Sequence, residues 1–272
     1  MPKDRLKFEA ASLSRRSGFP LLMAGAPLLL LIGIPLLALL TQFHFRFAVE
    51  DLWTDSVSQK ALCLSLYSSC LSTFLVMLFG TPLACLLARP EFRRRTVLDS
   101  VLQLATVVPP AVAGIALLMA FGRNGLVGSW LNRAGITLPF TTAAVVMAQM
   151  FVSAPYFIKT AALAIGAIDP ELQQVARLEG AGNWQVFRHI LLPLAWRGFV
   201  AGAAMTWARA IGEFGATIIF AGNYPGRTQT LPIAVYLGLE TGIDRAVTMA
   251  VILLLLSFAA LTAIHSLSRS RD

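Results

Sequence analysis

A chain of 272 residues that is 57% hydrophobic and only 13% charged, with a mean hydropathy of +0.71, is too apolar for a soluble globular protein. It reads as an all-α integral membrane protein. The net charge of +8 lies in short clusters between apolar runs, with no basic face interleaved with aromatics, which excludes nucleic acid as a partner and leaves membrane lipid as the surroundings.

Residues 1–18 form a polar segment carrying Lys3, Arg5, Lys7, Arg15 and Arg16, and residues 19–43 follow without a charge. A secretory signal opens in the same way, but its apolar core is shorter and ends at a small-residue cleavage site, which Thr41-Gln42-Phe43-His44-Phe45 does not supply. The run is therefore expected to be a retained first span. Further spans are expected at about 61–88, 99–122, 137–163, 196–221 and 246–266, each near the roughly 20 helical residues that cross a bilayer core. Residues 19–266 thus make one domain of six transmembrane helices, followed by a tail at 267–272, with no room for a separate soluble domain.

Cys63, Cys70 and Cys85 fall in the second apolar run without metal-ligand spacing or a nearby His, so neither a disulfide framework nor a metal site is expected. Lys and Arg crowd the N-terminal segment, the stretch Arg89–Arg95, the surroundings of residues 159–197 and the tail, whereas Arg46, Lys60, Arg123, Arg133, Arg227 and Arg245 are spread over the alternate loops. The positive-inside rule puts both termini in the cytoplasm.

The third span is interrupted near its middle by Val108-Pro109-Pro110. Pro110 cannot donate a helical hydrogen bond, and Pro109 biases Val108 away from helical geometry, so a kink or an unwound turn is expected. Pro109, Pro110 and Gly114 are candidate pathway or gate residues, because freed backbone at a helix break can face a water-filled path. A plain packing kink is the alternative, and simple kinks are expected at Pro27, Pro35 and Pro155.

Asp169-Pro170-Glu171 opens the longest polar interruption with an acceptor at the N-cap, proline at the first helical position and an acid in the first turn. The helix is expected to stop at Gly180-Ala181-Gly182, where Asn183 caps a second one that ends at Leu192-Pro193. Ala176, Gly180, Ile190, Leu192 and Pro193 fall at the spacing of the cytoplasmic "EAA" loop, and the stretch resembles that loop of the membrane subunits of binding-protein-dependent ABC importers. Gln174 and Val175 replace the first two letters of the pattern. In that family the loop, here 169–193, docks on the ATP-binding subunit, which makes Gln174, Ala176, Gly180, Ala181, Trp184, Ile190, Leu192 and Pro193 its coupling residues.

Arg209 and Glu213 lie one turn apart within the predicted fifth span. A charge there costs on the order of 3 kcal/mol, so the two are expected to face the interior and neutralise each other. They are either a packing lock or, through Arg209, a source of positive potential on an anion path. Gly212 and Gly215 beside them are suited to close helix approach. The following turn offers Asn223, Arg227, Thr228 and Gln229 as outer polar contacts for an oxyanion or a partner.

Ala208-Arg209-Ala210-Ile211-Gly212-Glu213-Phe214-Gly215, Ala221-Gly222-Asn223 and Gly226-Arg227-Thr228-Gln229-Thr230-Leu231-Pro232 are similar to the molybdate/tungstate branch of these permeases. So are the Val-Pro-Pro stretch and Pro139-Phe140-Thr141-Thr142-Ala143-Ala144. Sulfate permeases share part of the pattern. The resemblance implies a type I ABC importer permease fold in a bacterial or archaeal plasma membrane. It also implies a second copy of the chain, two cytoplasmic ATPase subunits that bind ATP and magnesium, and an extracytoplasmic oxyanion-binding protein.

The chain has no Gly-Lys dipeptide, and hence no Walker A loop, nor any His-Glu-x-x-His or Gly-x-Ser-x-Gly motif. No catalytic residue and no cofactor of its own are expected. His44, His189 and His265 stand isolated near span boundaries. The open alternatives are a sulfate or other anion permease and, from another class, an ATP-independent channel or ion-coupled carrier, for which Glu213 would be the mid-span carboxylate.

Overall fold

The computed structural model describes residues 3–43 and 55–269, in two compact units that divide after Phe45. His44 and Arg46 lie outside the described residues, as does Arg271. The first unit is one helix, α1 (Lys3–Thr41), so the basic segment continues into the apolar run without a break. Pro27 and Pro35 do not interrupt it. None of the span Leu22–Thr41 is buried.

In the second unit every regular element among the described residues is a helix. Asp55 caps α2 (Ser56–Leu87), its carboxylate accepting from the N–H groups of Val57 and Ser58. The next helices are α3 (Arg95–Val107), α4 (Pro110–Phe121), the short α5 (Gly128–Arg133) and α6 (Thr142–Gly166). Thr141 caps α6 and accepts from the Ala144 N–H, and the helix runs on through Pro155.

α6 is the hub. Small residues bring its neighbours to backbone distance, as expected where lipid removes the hydrophobic drive between helices. Gly80 of α2 meets Phe157 and Ile158. Gly198 and Gly202 of α9 (Leu192–Ile211) meet Ala164 and the Phe157–Thr160 turn. Phe157 is fully buried there and stacks edge-on against Phe199 at 5.8 Å.

The break expected in the third span is present and sharp: α3 and α4 meet at 115°. Val108 (ψ 126°) and Pro109 (ψ 138°) are both extended, and Pro110 starts a new helix at its first position. The fifth begins earlier and stops sooner than predicted. Helix α8 (Asn183–Val186), a π-helical turn (Phe187–Leu191) and α9 form one 29-residue rod, Asn183–Ile211. The chain then unwinds over Gly212–Phe214, and α10 (Gly215–Phe220) is a separate short helix.

Helix α11 (Leu231–Thr241) was not anticipated. Its Gly238 lies against Ala246 of α12 (Ile243–Arg269), the helix that contains the predicted sixth span. Among the described residues, four helices are long and apolar enough to cross a membrane, five if the bent pair counts as one.

Candidate functional site

At one end of the second unit, α7 (Pro170–Leu178) and α8 form a helical pair. Asp169 caps α7 by accepting from the Glu171 N–H at 2.9 Å. The helix closes with Gly180 in the left-handed region (φ +86°), with the Gly180 N–H donating to Arg177 O and the Ala181 N–H to Ala176 O. This is a Schellman closure, which explains why the motif wants glycine at that place. The predicted cap at Asn183 shifts by one residue. Gly182 is the N-cap, and its N–H donates to the Gln185 side chain at 2.7 Å.

The eight predicted coupling residues divide into two sets. Ala176, Ala181 and Leu192 pack on the core cluster that includes Leu87, Ile165, Val186 and Leu191, with Ile190 half-buried beside them. Gln174, Gly180, Trp184 and Pro193 are exposed. The chain passes through Leu192-Pro193 without ending the helix, contrary to the predicted stop: the π-helical turn Phe187–Leu191 shifts the hydrogen-bond register just before Pro193, which has no N–H to place in it. Sequence reasoning passed over Leu172, Val175 and Leu178, which with Trp184 leave large apolar side chains in the open; Leu178 is 87% exposed and Trp184 69%. Their signal was present, since an apolar stripe on an otherwise polar nine-residue helix needs a partner to cover it.

The two helix breaks meet. Gly215, at the start of α10, is so close to Pro110 that a Cβ there would sit 2.8 Å from the proline Cβ. Gly114 of α4 lies equally close to Ala216 and Ile219. Gly114 is therefore a buried packing residue and not a lining one, whereas Pro109 and Pro110 remain exposed. Gly212 makes no close approach, its nearest neighbour being Ala208 O at 3.7 Å.

Arg209 and Glu213 form the expected ion pair, with Arg209 Nη1 at 2.7 Å from Glu213 Oε2. Glu213 is not inside the helix, however: it lies past the end of α9, and its Oε1 accepts from the Ala216 N–H at 2.8 Å. The carboxylate thus joins two helices that a break separates. Its side chain is 1% exposed, that of Arg209 27%.

The loop after α10 sits at the opposite end of the unit from α7. Tyr224-Pro225-Gly226-Arg227 is a turn in which the Tyr224 carbonyl accepts from the Arg227, Thr228 and Gln229 N–H groups. Of the four predicted outer contacts, Arg227 is exposed and Asn223 half-buried, but Thr228 and Gln229 are buried. Thr228 Oγ1 accepts from the Tyr224 N–H and so builds the turn. The loop is tied to α6 by Thr142 Oγ1 donating to Arg227 O, and α11 to α2 by the Leu231 N–H donating to Ser65 Oγ. Arg245 of α12 reaches Asp55 at 3.8 Å. Burial raises the Asp55 carboxyl, but the Ser58 hydroxyl, the two capping N–H groups and Arg245 together hold it below its ordinary value.

The chain is 41% identical over 227 residues to the Molybdenum transport system permease protein ModB of Mycobacterium tuberculosis, which covers 83% of this chain and 85% of that protein. It is 39% identical to the protein of the same name from Escherichia coli K12, over 78% of this chain and 95% of that one. Among solved structures, a bacterial alginate ABC transporter in complex with its periplasmic protein matches 96% of both chains with a TM-score of 0.75 at 17% identity. An inward-facing MetNI methionine ABC transporter matches 79% of this chain and 95% of the other with a TM-score of 0.62 at 21% identity. The fold is thus the all-helical permease fold of the type I ABC importers. With residues 80–271 matching the family as well, the chain belongs to the binding-protein-dependent transport system inner membrane components, the permease subunits of ABC importers.

Proposed function

We propose that this permease carries a tetrahedral oxyanion, molybdate or its near-equal tungstate, into the cell by alternating access. The observation that carries the substrate is the 41% identity over 83% of the chain to a molybdenum transport permease. The apolar face of α7 and α8 supports the coupling. Leu172, Val175, Leu178 and Trp184 would be covered by a groove on an ATPase subunit, which binds ATP and magnesium and drives the cycle.

A homodimer is the natural assembly, since one chain with so few spans does not enclose a path by itself. A binding protein would deliver the anion at the end formed by Asp55, Thr142, Arg227 and Arg245. Clustered Lys and Arg at the α7 end support a cytoplasmic location for that end and for both termini. Selectivity would rest mainly with the binding protein, because a path that held a dianion tightly would release it slowly.

The test is ATP-dependent uptake into proteoliposomes holding the permease and its ATPase, with binding protein outside and molybdate, tungstate and sulfate in competition. Uptake blocked by excess molybdate or tungstate, but not by sulfate, is the expected result. Equal competition by sulfate moves the substrate to the sulfate relatives, and uptake without ATP overturns the importer reading.

A further inference from the structure

Gln149 of α6 is fully buried, and neither its Oε1 nor its Nε2 has a hydrogen-bond partner. Thr217 of α10 is also fully buried with its hydroxyl unpartnered. Unsatisfied polar groups inside a membrane protein are expensive, and a group kept in that condition calls for a reason. Helix register gives one.

Helices α6 and α9 run antiparallel. Gly198 meets Ala164, Gly202 meets Phe157 and Thr160, and the Thr206 hydroxyl donates to Ser153 O. One further turn brings Gln149 level with Arg209 and Ala210. Gln149 also lies one turn from both Val145 and Val152, which pack in one cluster with Ala216 and Phe220 of α10. Thr217 follows Ala216, whose N–H holds the Glu213 carboxylate. Helix register thus places the two orphaned side chains within about one turn of the Arg209–Glu213 pair. Arg209 keeps the outer side, the only member of the pair with an appreciably exposed side chain.

We propose that the Arg209–Glu213 pair is an exchangeable latch on the oxyanion path. A passing oxyanion takes the exposed side of Arg209, and the Gln149 amide and Thr217 hydroxyl then donate to the Glu213 carboxylate that Arg209 has left. Leaving a buried carboxylate alone would be prohibitive, and leaving the two donors alone is the cost of the closed state. Exchange of partners makes the two states comparable in energy. The unwound Gly212–Phe214 segment supplies the backbone freedom for the exchange. Arg209 is thereby an anion-contacting residue, and Gln149 and Thr217 are positioning residues. This rests on the oxyanion-importer reading above.

The experiment uses the assembled complex of permease, ATPase and binding protein in proteoliposomes, with molybdate as the probe. Wild-type uptake comes first, since its absence defeats the importer reading before any variant is tested. Gln149→Leu is then expected to leave thermal stability at or above wild type, because an unsatisfied amide is removed, and to lower the uptake rate about tenfold. Glu213→Gln keeps an acceptor for the Ala216 N–H but removes the charge that must be caught. In that background Gln149→Leu should change uptake less than about twofold. A loss of stability in Gln149→Leu, undiminished uptake, or an equal effect in both backgrounds overturns the latch while leaving the importer intact.

Discussion

Gly215 packs on Pro110, so the break in the third apolar segment and the start of the helix after the fifth are one contact. Each break alone would be a local irregularity. Together they pack α4 and α10 onto one another through Gly114 and Gly215.

Gly215→Val should disturb this contact, since a side chain would have to displace the Pro110 ring and the Ala111 backbone. Overpacking of this kind costs about 1–3 kcal/mol. Gly212→Ala, with nothing nearer than 3.7 Å to a Cβ, is the matched control. A thermal-shift measurement on the purified complex should show a clear drop for the first and little for the second. Equal shifts would remove the packing argument.

Gly180→Val should separate ATP hydrolysis from uptake. No atom lies within 4 Å of a Cβ there, so the effect comes from the left-handed backbone (φ +86°), which costs a non-glycine residue roughly 1–2 kcal/mol and is least suited to a β-branched one. Insertion should be normal, ATPase activity measurable and uptake strongly reduced. Normal uptake would count against α7 and α8 as the coupling element.

Glu213→Ala should destabilise more than the double substitution does, because it leaves the Arg209 guanidinium without its carboxylate and the double substitution removes that cost. Arg209→Ala should be milder, since the Gln149 amide and Thr217 hydroxyl are there to take up the Glu213 carboxylate. Strictly additive losses in denaturation experiments would show that the pair is not coupled.

Acid should loosen the junction of α2 and α12. The Asp55 carboxyl is held below its ordinary value in the folded protein, so its contribution is complete above the usual carboxylate range and is lost as pH falls through the lower folded value. Asp55→Asn should flatten that part of the stability–pH curve. Parallel curves for the variant and wild type would show that another group governs the acid limb.

Hydropathy and cluster charge were enough to specify a helical membrane protein, because a bilayer admits few alternatives to an apolar helix of fixed length. Asp169-Pro170-Glu171 and Gly180 specified α7 and its closure through local chemistry alone: a cap, a missing N–H and a permitted positive φ. The exposed stripe at Leu172, Val175 and Leu178 was equally local and was there to be read. What needed the tertiary structure was the fate of the interruptions. Pro109 announced a break, but the 115° angle follows from α4 packing on α10 through Gly114 and Gly215. The apolar run through Ile211 to Ala221 gave no sign of stopping, since hydropathy does not register a carboxylate that lies past one helix and holds the Ala216 N–H of the next. Burial likewise turned Thr228 and Gln229 inward and left Gln149 without a partner, because which side of a polar residue meets protein is decided only once its neighbours are in place.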